Sequence, residues 1–467
     1  MKKTRVLFVD YSQNPNQPYP QHFFAPLDIG YCFSVLERAG CEVSYLDLRI
    51  EPLKLDALIE NIKRMSPDIL LLKPGVSSAD FILRLSYALS ECIEHIYCYG
   101  PSATLCPGIF LFPNSPVKAC LLNEIEHTVE ELASAVRAGS AVRDIKGIAY
   151  FDEDDNAVRI NSRELIQDLD SLPFPRHSIF INKKYMFRYP LKIYKRIRLA
   201  YILSSRGCPS RCIFCSVLRR SSYGEAYRAR TPENVVGELE FISSLGFNTA
   251  YFLDDNFSYD KERTVRICRG ILQKGLQKKI SWIAQCSIAS LDEDSVRIMK
   301  EAGCSTVCLG IESANEKILK ALGKGIRLSD IIRVSGILKK HNLLMVAFFI
   351  IGSPSETSSD ILDSIDLCRR IRPDMLQLHY FSVYPDSPIS NGTTMPQMNA
   401  PYCYSASSNF SNVSEEELQM LYKHFYKSHY FSAQSIGGYF RNQFLTSLIN
   451  WKEFIPFYLK GIRYILS

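Results

Sequence analysis

The chain has 467 residues, 46% of them apolar and 22% charged, with a formal net charge of +6. The length excludes one ordinary domain and suits two or three, the apolar share is enough for full hydrophobic cores, and so small a net charge gives no argument for a nucleic-acid partner. The opening "MKKTRVLFVDYS" carries too short an apolar run for a signal peptide and reads as a first β-strand. No stretch of about eighteen uncharged apolar residues occurs, so no membrane-spanning helix is expected.

The first segment alternates strand and helix. "RVLFVDY", "CEVSYLDL", "PDILLLKPG", "HIYCYG" and "VKACLLNE" read as strands, and "FSVLERAG", "LDALIENIKRM", "ADFILRLSYALSE" and "HTVEELASAVRAG" as helices, with Gly40 as a helix stop. This alternation predicts an α/β fold: an open, doubly wound parallel sheet over residues 1–139, of the kind that binds ligands at the carboxyl ends of its strands. Residues 140–190 read as a connector, with a hairpin around "DEDDN" and an extended, proline-containing "LDSLPFPRHSIF".

A second βα series fills residues 191–393. Its strands are "RLAYILSSRGC", "TAYFLDDNF", "ISWIAQCSI", "TVCLGIES", "LLMVAFFIIGSP" and "DMLQLHYFSVYP", with helical stretches between them. Six such units fall short of the eight in a closed barrel and predict a partial TIM barrel, (β/α)6, open on one side. Residues 394–467 read as a helical C-terminal region. Its last part, "YFRNQFLTSLINWKEFIPFYLKGIRYILS", is aromatic, mildly basic and broken by Pro456. It suits a helical lid packed on the barrel, with weak contact to a membrane surface as the sharper alternative.

Fifteen cysteines are many for a chain without an export signal, and the chain is neither short nor loop-rich as disulfide frameworks are. A reducing, cytoplasmic compartment follows. Most of the cysteines stand alone in apolar runs, as small buried hydrophobes do. One group differs: "RGCPSRCIFC" places Cys208, Cys212 and Cys215 on the loop after a barrel strand. A closed structural zinc site wants four ligands, and so does a fully ligated 4Fe–4S cluster. Three thiolates leave one iron with an open position, where a substrate or cofactor can bind. Cys286, Cys304 and Cys308 sit in strands and read as core; a fourth fixed thiol among them would instead favour an electron-transfer or sensing protein.

Cys-x3-Cys-x2-Cys with an aromatic residue before the last cysteine resembles the signature of the radical S-adenosylmethionine (SAM) family. "YRARTPENVVGELEFISSLG", "YFLDDNFSYD", "MKEAGCSTVCLGIESANEKILKALGKG", "FFIIGSPSET" and "YPDSP" resemble the family's ordered companions over residues 190 to 390. The resemblance implies that Cys208, Cys212 and Cys215 hold three irons of a 4Fe–4S cluster and that SAM chelates the fourth. One electron then cleaves the sulfonium to an adenosyl radical. Phe214 would lie near the adenine, Gly352 and Pro354 would line it, and Glu312 would contact SAM or else cap the following helix. Asp254 and Asp255 would point to the site or cap a helix, and Arg228 and Arg230 would bind a carboxylate or stand in solvent.

The N-terminal part resembles the cobalamin-binding domains fused to such barrels, through "APLDIGYCFSVLERAGCEVSYLDL", "SPDILLLKPG", "YGPSATLCP", "NEIEHTVEEL" and the linker "LDSLPFPRH". It departs from them where Tyr99-Gly100 replaces a glycine pair and where Asn123 and Ile125 replace the glycines of the acidic loop. No histidine ligand to cobalt is suggested; His22 stands in a Pro/Asn/Gln loop. The implied cofactors are a 4Fe–4S cluster, SAM and cobalamin. The implied partners are a small-molecule or peptide substrate and a reduced ferredoxin or flavodoxin-type electron donor. The implied reaction is methyl transfer to carbon, or cyclisation, rearrangement or oxidation if the first sheet has lost its ligand.

Overall fold

The computed structural model describes residues 3–11, 24–75, 78–181, 185, 196–215, 223–383, 389, 409–431 and 437. The chain divides into two compact units, the first built from residues up to Tyr185 with the segment ending at Arg228, the second from most of the remainder.

The first unit holds β1 (Arg5–Tyr11), β2 (Glu42–Asp47), β3 (Ile69–Pro74), β4 (Ile96–Tyr99), β5 (Ala119–Leu121), β6 (Ile148–Asp152) and β7 (Ala157–Asn161) in the order β2-β1-β3-β4-β5-β6-β7. The first five are parallel. Helices α1 (Leu27–Arg38), α2 (Leu55–Met65), α3 (Ala79–Leu89), the short α4 (Pro101–Leu105) and α5 (Glu126–Ala138) connect them. β1 is buried on both faces: Val6 and Phe8 pack with α1 and α5, Leu7 and Val9 with α2 and α3. That is why it reads as a continuous apolar run and not an alternating one. The hairpin around "DEDDN", expected as part of a connector, is the antiparallel edge of this sheet, because β6 pairs with β5. Gly40 follows the C-terminus of α1 with φ +80°, as a helix stop requires.

The second unit holds β8 (Leu199–Ile202), the two-residue β9 (Ser205–Arg206) and, after β10 (Arg228–Ala229) at the boundary, β11 (Thr249–Phe252), β12 (Ser281–Cys286), β13 (Cys304–Glu312), β14 (Leu344–Ile351) and β15 (Met375–Tyr380). Six of these form one parallel sheet in the order β15-β14-β13-β12-β11-β8, the sequential order of a partial barrel. Helices α6 (Pro232–Ser244), α7 (Lys261–Gln273), α8 (Glu293–Glu301), α9 (Glu316–Ala321), α10 (Leu328–Lys340) and α11 (Ser358–Ile371) run between the strands. Helix α10 is absent from the elements expected above, although Ile331, Val334, Ser335 and Leu338 carry its buried stripe at helical spacing. Alternate residues of β14, Met345, Ala347, Phe349 and Ile351, pack toward the helices, which leaves Val346, Phe348 and Ile350 on the inner face.

Helix α12 (Glu415–Tyr430) starts at Ser414, whose side chain caps it. It covers the outer face of the last two strands: the Tyr422 ring stacks on Tyr380 at 4.7 Å and Phe425 lies 5.1 Å from Phe349. The first part of the expected C-terminal helical region is thus a flank of the barrel wall. The aromatic stretch around Pro456, the "YPDSP" segment and His22 lie outside the described residues. No helix among the described residues is long and apolar enough to cross a membrane.

Candidate active site

The cysteine loop leaves β9 through Gly207, whose φ of +80° turns the chain at the carboxyl end of the barrel, where barrel enzymes place their chemistry. Cys208, Cys212 and Cys215 are all partly exposed, unlike the cysteines of the strands. Two backbone contacts hold the loop. The Ile213 N–H donates to the Leu322 carbonyl at 3.0 Å, and the Cys215 N–H donates to the Cys212 carbonyl at 3.2 Å. Gly323 (φ +69°) is pressed so closely on the loop that a Cβ there would lie 2.5 Å from the Arg211 carbonyl oxygen.

Phe214 packs on the cluster of Ile318, Leu322, Ile350 and Phe381. Ile350 lies on the inner face of β14, so the ring lies by the barrel mouth. Lys324 Nζ sits 6.0 Å from the Phe214 ring centroid and 2.7 Å from Glu312 Oε1. Sequence reasoning missed Lys324. Its signal is the "LGKG" after α9, where Gly323, at φ +69°, turns the backbone just before the lysine. Burial alone would push the Lys324 ammonium pKa down; Glu312, with Cys212 and Cys215, reverses this and raises it.

Glu312 does not cap the following helix. That role belongs to Asn315, whose side chain accepts the Lys317 N–H at 2.8 Å. Glu312 stands instead at φ +65°, where the register between β13 and β14 slips. A left-handed backbone at a non-glycine residue costs about 1–3 kcal/mol and concentrates at functional sites. Gly310 makes the room: a Cβ there would lie 2.4 Å from Glu312 Oε1 and 2.6 Å from Lys324 Nζ.

Gly352 (φ +81°) and Pro354 follow β14, and a Cβ on Gly352 would meet Leu418 of α12 at 3.1 Å. The buried Glu356 shapes this turn by accepting the Gly352 and Ser353 N–H groups at 2.7 and 3.0 Å. Burial outweighs these bonds and pushes the Glu356 pKa up to about 8. A carboxyl raised in the folded state keeps its proton while the unfolded chain loses one, so stability falls as pH rises from the ordinary carboxylate range to about 8. Urea unfolding at several pH values should show this decline, and Glu356→Gln should flatten it.

Asp254 is buried at the strand ends. It accepts the Ser204 N–H at 3.1 Å, the Ser204 hydroxyl at 2.7 Å and the Ser205 hydroxyl, fixing the residues that lead into the cysteine loop. Arg228 and Arg230 are not in solvent. Arg228 pairs with Glu124 at 2.9 Å inside the first unit, and Arg230 pairs with Glu238 inside the second. Cys286, Cys304 and Cys308 are buried in the barrel wall, and burial pushes the Cys286 thiol up to about 12.

Among the described residues no three cysteine, histidine or carboxylate side chains converge on one point as a single metal ion requires. A four-iron cluster places each thiolate on its own iron, and three soft thiolates on one exposed loop fit that demand. In the first unit the positive-φ turns persist despite the altered sequence. Gly100 has φ +89° and ψ −174°, a region open essentially only to glycine, while Asn123 holds φ +57° where the family has glycine. Ile125 has an ordinary φ of −97°. At the carboxyl ends of β1–β3, Arg49 lies 2.8 Å from Asp47 and 3.5 Å from Asp10, and Lys73 lies 2.6 Å from Asp28. Backbone turns of this kind suit a cofactor laid on the chain, and the Lys73 side chain borders Gly100, 3.2 Å from where a Cβ would lie.

A family model described as the radical SAM superfamily matches residues 202–368. An uncharacterized methyltransferase of Pyrococcus horikoshii is 30% identical over 370 residues, covering 77% of this chain and 76% of its own. The anaerobic magnesium-protoporphyrin IX monomethyl ester cyclase of Rubrivivax gelatinosus is 24% identical over 402 residues, covering 82% and 69%. Among solved structures, the radical SAM methyltransferase TsrM from Kitasatospora setae, with cobalamin and a 4Fe–4S cluster bound, aligns with a TM-score of 0.66 at 18% identity, over 83% of this chain and 74% of its own. The cobalamin-dependent SAM radical enzyme OxsB aligns with a TM-score of 0.65 at 19% identity, over 92% of this chain and 56% of its own. The chain belongs to the radical SAM superfamily. It is therefore an enzyme that uses SAM and a 4Fe–4S cluster, and it shares its two-unit fold with TsrM and OxsB.

Proposed function

We propose that this chain is a cobalamin-dependent radical SAM methyltransferase acting on carbon of a small-molecule or peptide substrate. The observation that carries the reading is the pairing, in one chain, of a three-thiol loop at the mouth of a parallel six-stranded barrel with an open sheet that keeps its positive-φ turns at Gly100 and Asn123. The name of the Pyrococcus horikoshii relative supports it.

In this reading Cys208, Cys212 and Cys215 hold the iron–sulfur cluster, and Phe214, Glu312, Gly352 and Pro354 border SAM. The backbone at Gly100 and Asn123 underlies cobalamin. When bound, these cofactors supply a carbon-centred radical and a methyl carrier. The chain's own contribution is positional. The apolar cluster of Ile350, Leu322 and Phe381 anchors Phe214 and with it the thiol loop. Asp254 fixes the strand ends beneath that loop, and the carboxyl of Glu356 holds the turn at Gly352. A low-potential donor of the ferredoxin or flavodoxin type delivers the electron. The localisation in this reading is cytoplasmic.

The second reading, radical cyclisation or oxidation without methyl transfer, is favoured by the relatives named cyclases. One experiment separates the two. The protein is purified anaerobically from cells supplied with cobalamin, its iron and cobalamin are measured, and it is incubated with methyl-labelled SAM and a cell extract. About one cobalamin per chain beside the cluster, with label entering a product, is the expected result. A cluster without cobalamin and no labelled product would overturn the first reading.

A further inference from the structure

Three backbone devices converge on one ion pair. Gly310 lacks the Cβ that would displace both Glu312 Oε1 and Lys324 Nζ, Glu312 adopts a left-handed backbone at the β13 register slip, and Gly323 turns left-handed against Arg211 of the cysteine loop. Glu312 is buried and Lys324 partly buried, with side-chain exposures of 6% and 19%. Its cation faces Phe214, the residue between the last two cysteines, at 6.0 Å. A salt bridge that merely joined β13 to the loop after α9 would need none of these devices. Their common result is a fixed positive charge presented to the thiol loop, with a carboxylate behind it.

We infer that Lys324 is a positioning residue that sets the reduction potential of the cluster held by Cys208, Cys212 and Cys215, and that Glu312 sets it in the opposite sense. The inference rests on the ligand assignment proposed above. Reduction adds one electron, and hence one negative charge, to the cluster. A neighbouring ammonium stabilises the reduced form and a neighbouring carboxylate opposes it, more strongly where water is excluded than at an exposed surface. A partly buried lysine whose carboxylate partner accepts one of its protons' hydrogen bonds keeps other N–H donors for the loop.

The test is a reductive titration with dithionite and mediators, followed by electron paramagnetic resonance, on reconstituted full-length protein without SAM. Iron and sulfide are assayed in parallel. Lys324→Met should disfavour reduction by about tenfold, a potential lower by about 59 mV for a one-electron couple. Glu312→Gln should move the potential upward, and Lys324→Arg should restore it to near the wild-type value. A purely structural pair would give equal losses of stability and iron in both neutral variants with no opposed shift. That outcome, or shifts of the same sign, would overturn the inference. If Lys324→Met fails to take up iron, Glu312→Gln and Lys324→Arg still decide it by the direction and the absence of a shift. Wild-type protein that takes up no cluster would overturn the ligand assignment beneath it, and the inference with it. Intact clusters with unmoved potentials would overturn the inference alone.

Discussion

Cys212→Ala should leave a folded protein that retains little iron and no longer cleaves SAM. Cys212 lies on a partly exposed loop and fills no core, so its removal opens no cavity. Its expected effect is on the cluster. Loss even of an outer partner of a metal site typically costs about 10–100-fold in affinity or activity, and a ligand itself should cost more. The measurement is iron per chain after anaerobic reconstitution, with SAM cleavage under dithionite beside it. Cys308→Ala is the contrasting variant. Cys308 is buried in the barrel wall, so iron should be kept while stability declines. Full iron in Cys212→Ala, or iron lost in Cys308→Ala without unfolding, would refute the assignment.

Arg228→Met should lower the stability of the first unit by about 3–5 kcal/mol, because it strands a buried carboxylate. Arg228 donates to Glu124 at 2.9 Å, to the Ile166 carbonyl and to the Tyr223 carbonyl at 2.6 Å, and both charged side chains are at most 5% exposed. Glu124 also accepts the Ile166 N–H at 2.6 Å, so the pair fastens the segment before the proline-containing stretch to the sheet. Glu124→Gln combined with Arg228→Met should recover part of the loss, since no charge then remains buried without a partner. Urea unfolding followed by intrinsic fluorescence measures both. Additive losses in the double variant would show that the two side chains act independently.

What the sequence legibly carried was what local chemistry dictates. Strands buried on both faces, such as "RVLFVDY" and "MVAFFIIG", are read from unbroken apolar runs, and helices from their caps and stripes. Three thiols at close spacing on a strand-following loop form a pattern within ten residues, so the proposal for Cys208, Cys212, Cys215 and Phe214 needs only the sequence. The hairpin's strands were legible too, but not their partner: pairing of β6 with β5 joins distant segments, and no local pattern encodes it.

Tertiary structure alone decided the fate of isolated charged residues. Arg228, Arg230, Asp254 and Glu312 are each a single letter whose role depends on what lies opposite, and those partners are 104, 8, 50 and 12 residues away. Asn123 shows the same limit in backbone form. The substitution looked like the loss of a turn, yet asparagine tolerates the left-handed region, and the surrounding loop holds it there at φ +57°. Lys324 combines both limits: the glycine before it marks a turn, but its partner is not written beside it. Its ammonium lies beside Gly310, fourteen residues earlier in the chain, where a Cβ would lie 2.6 Å from it.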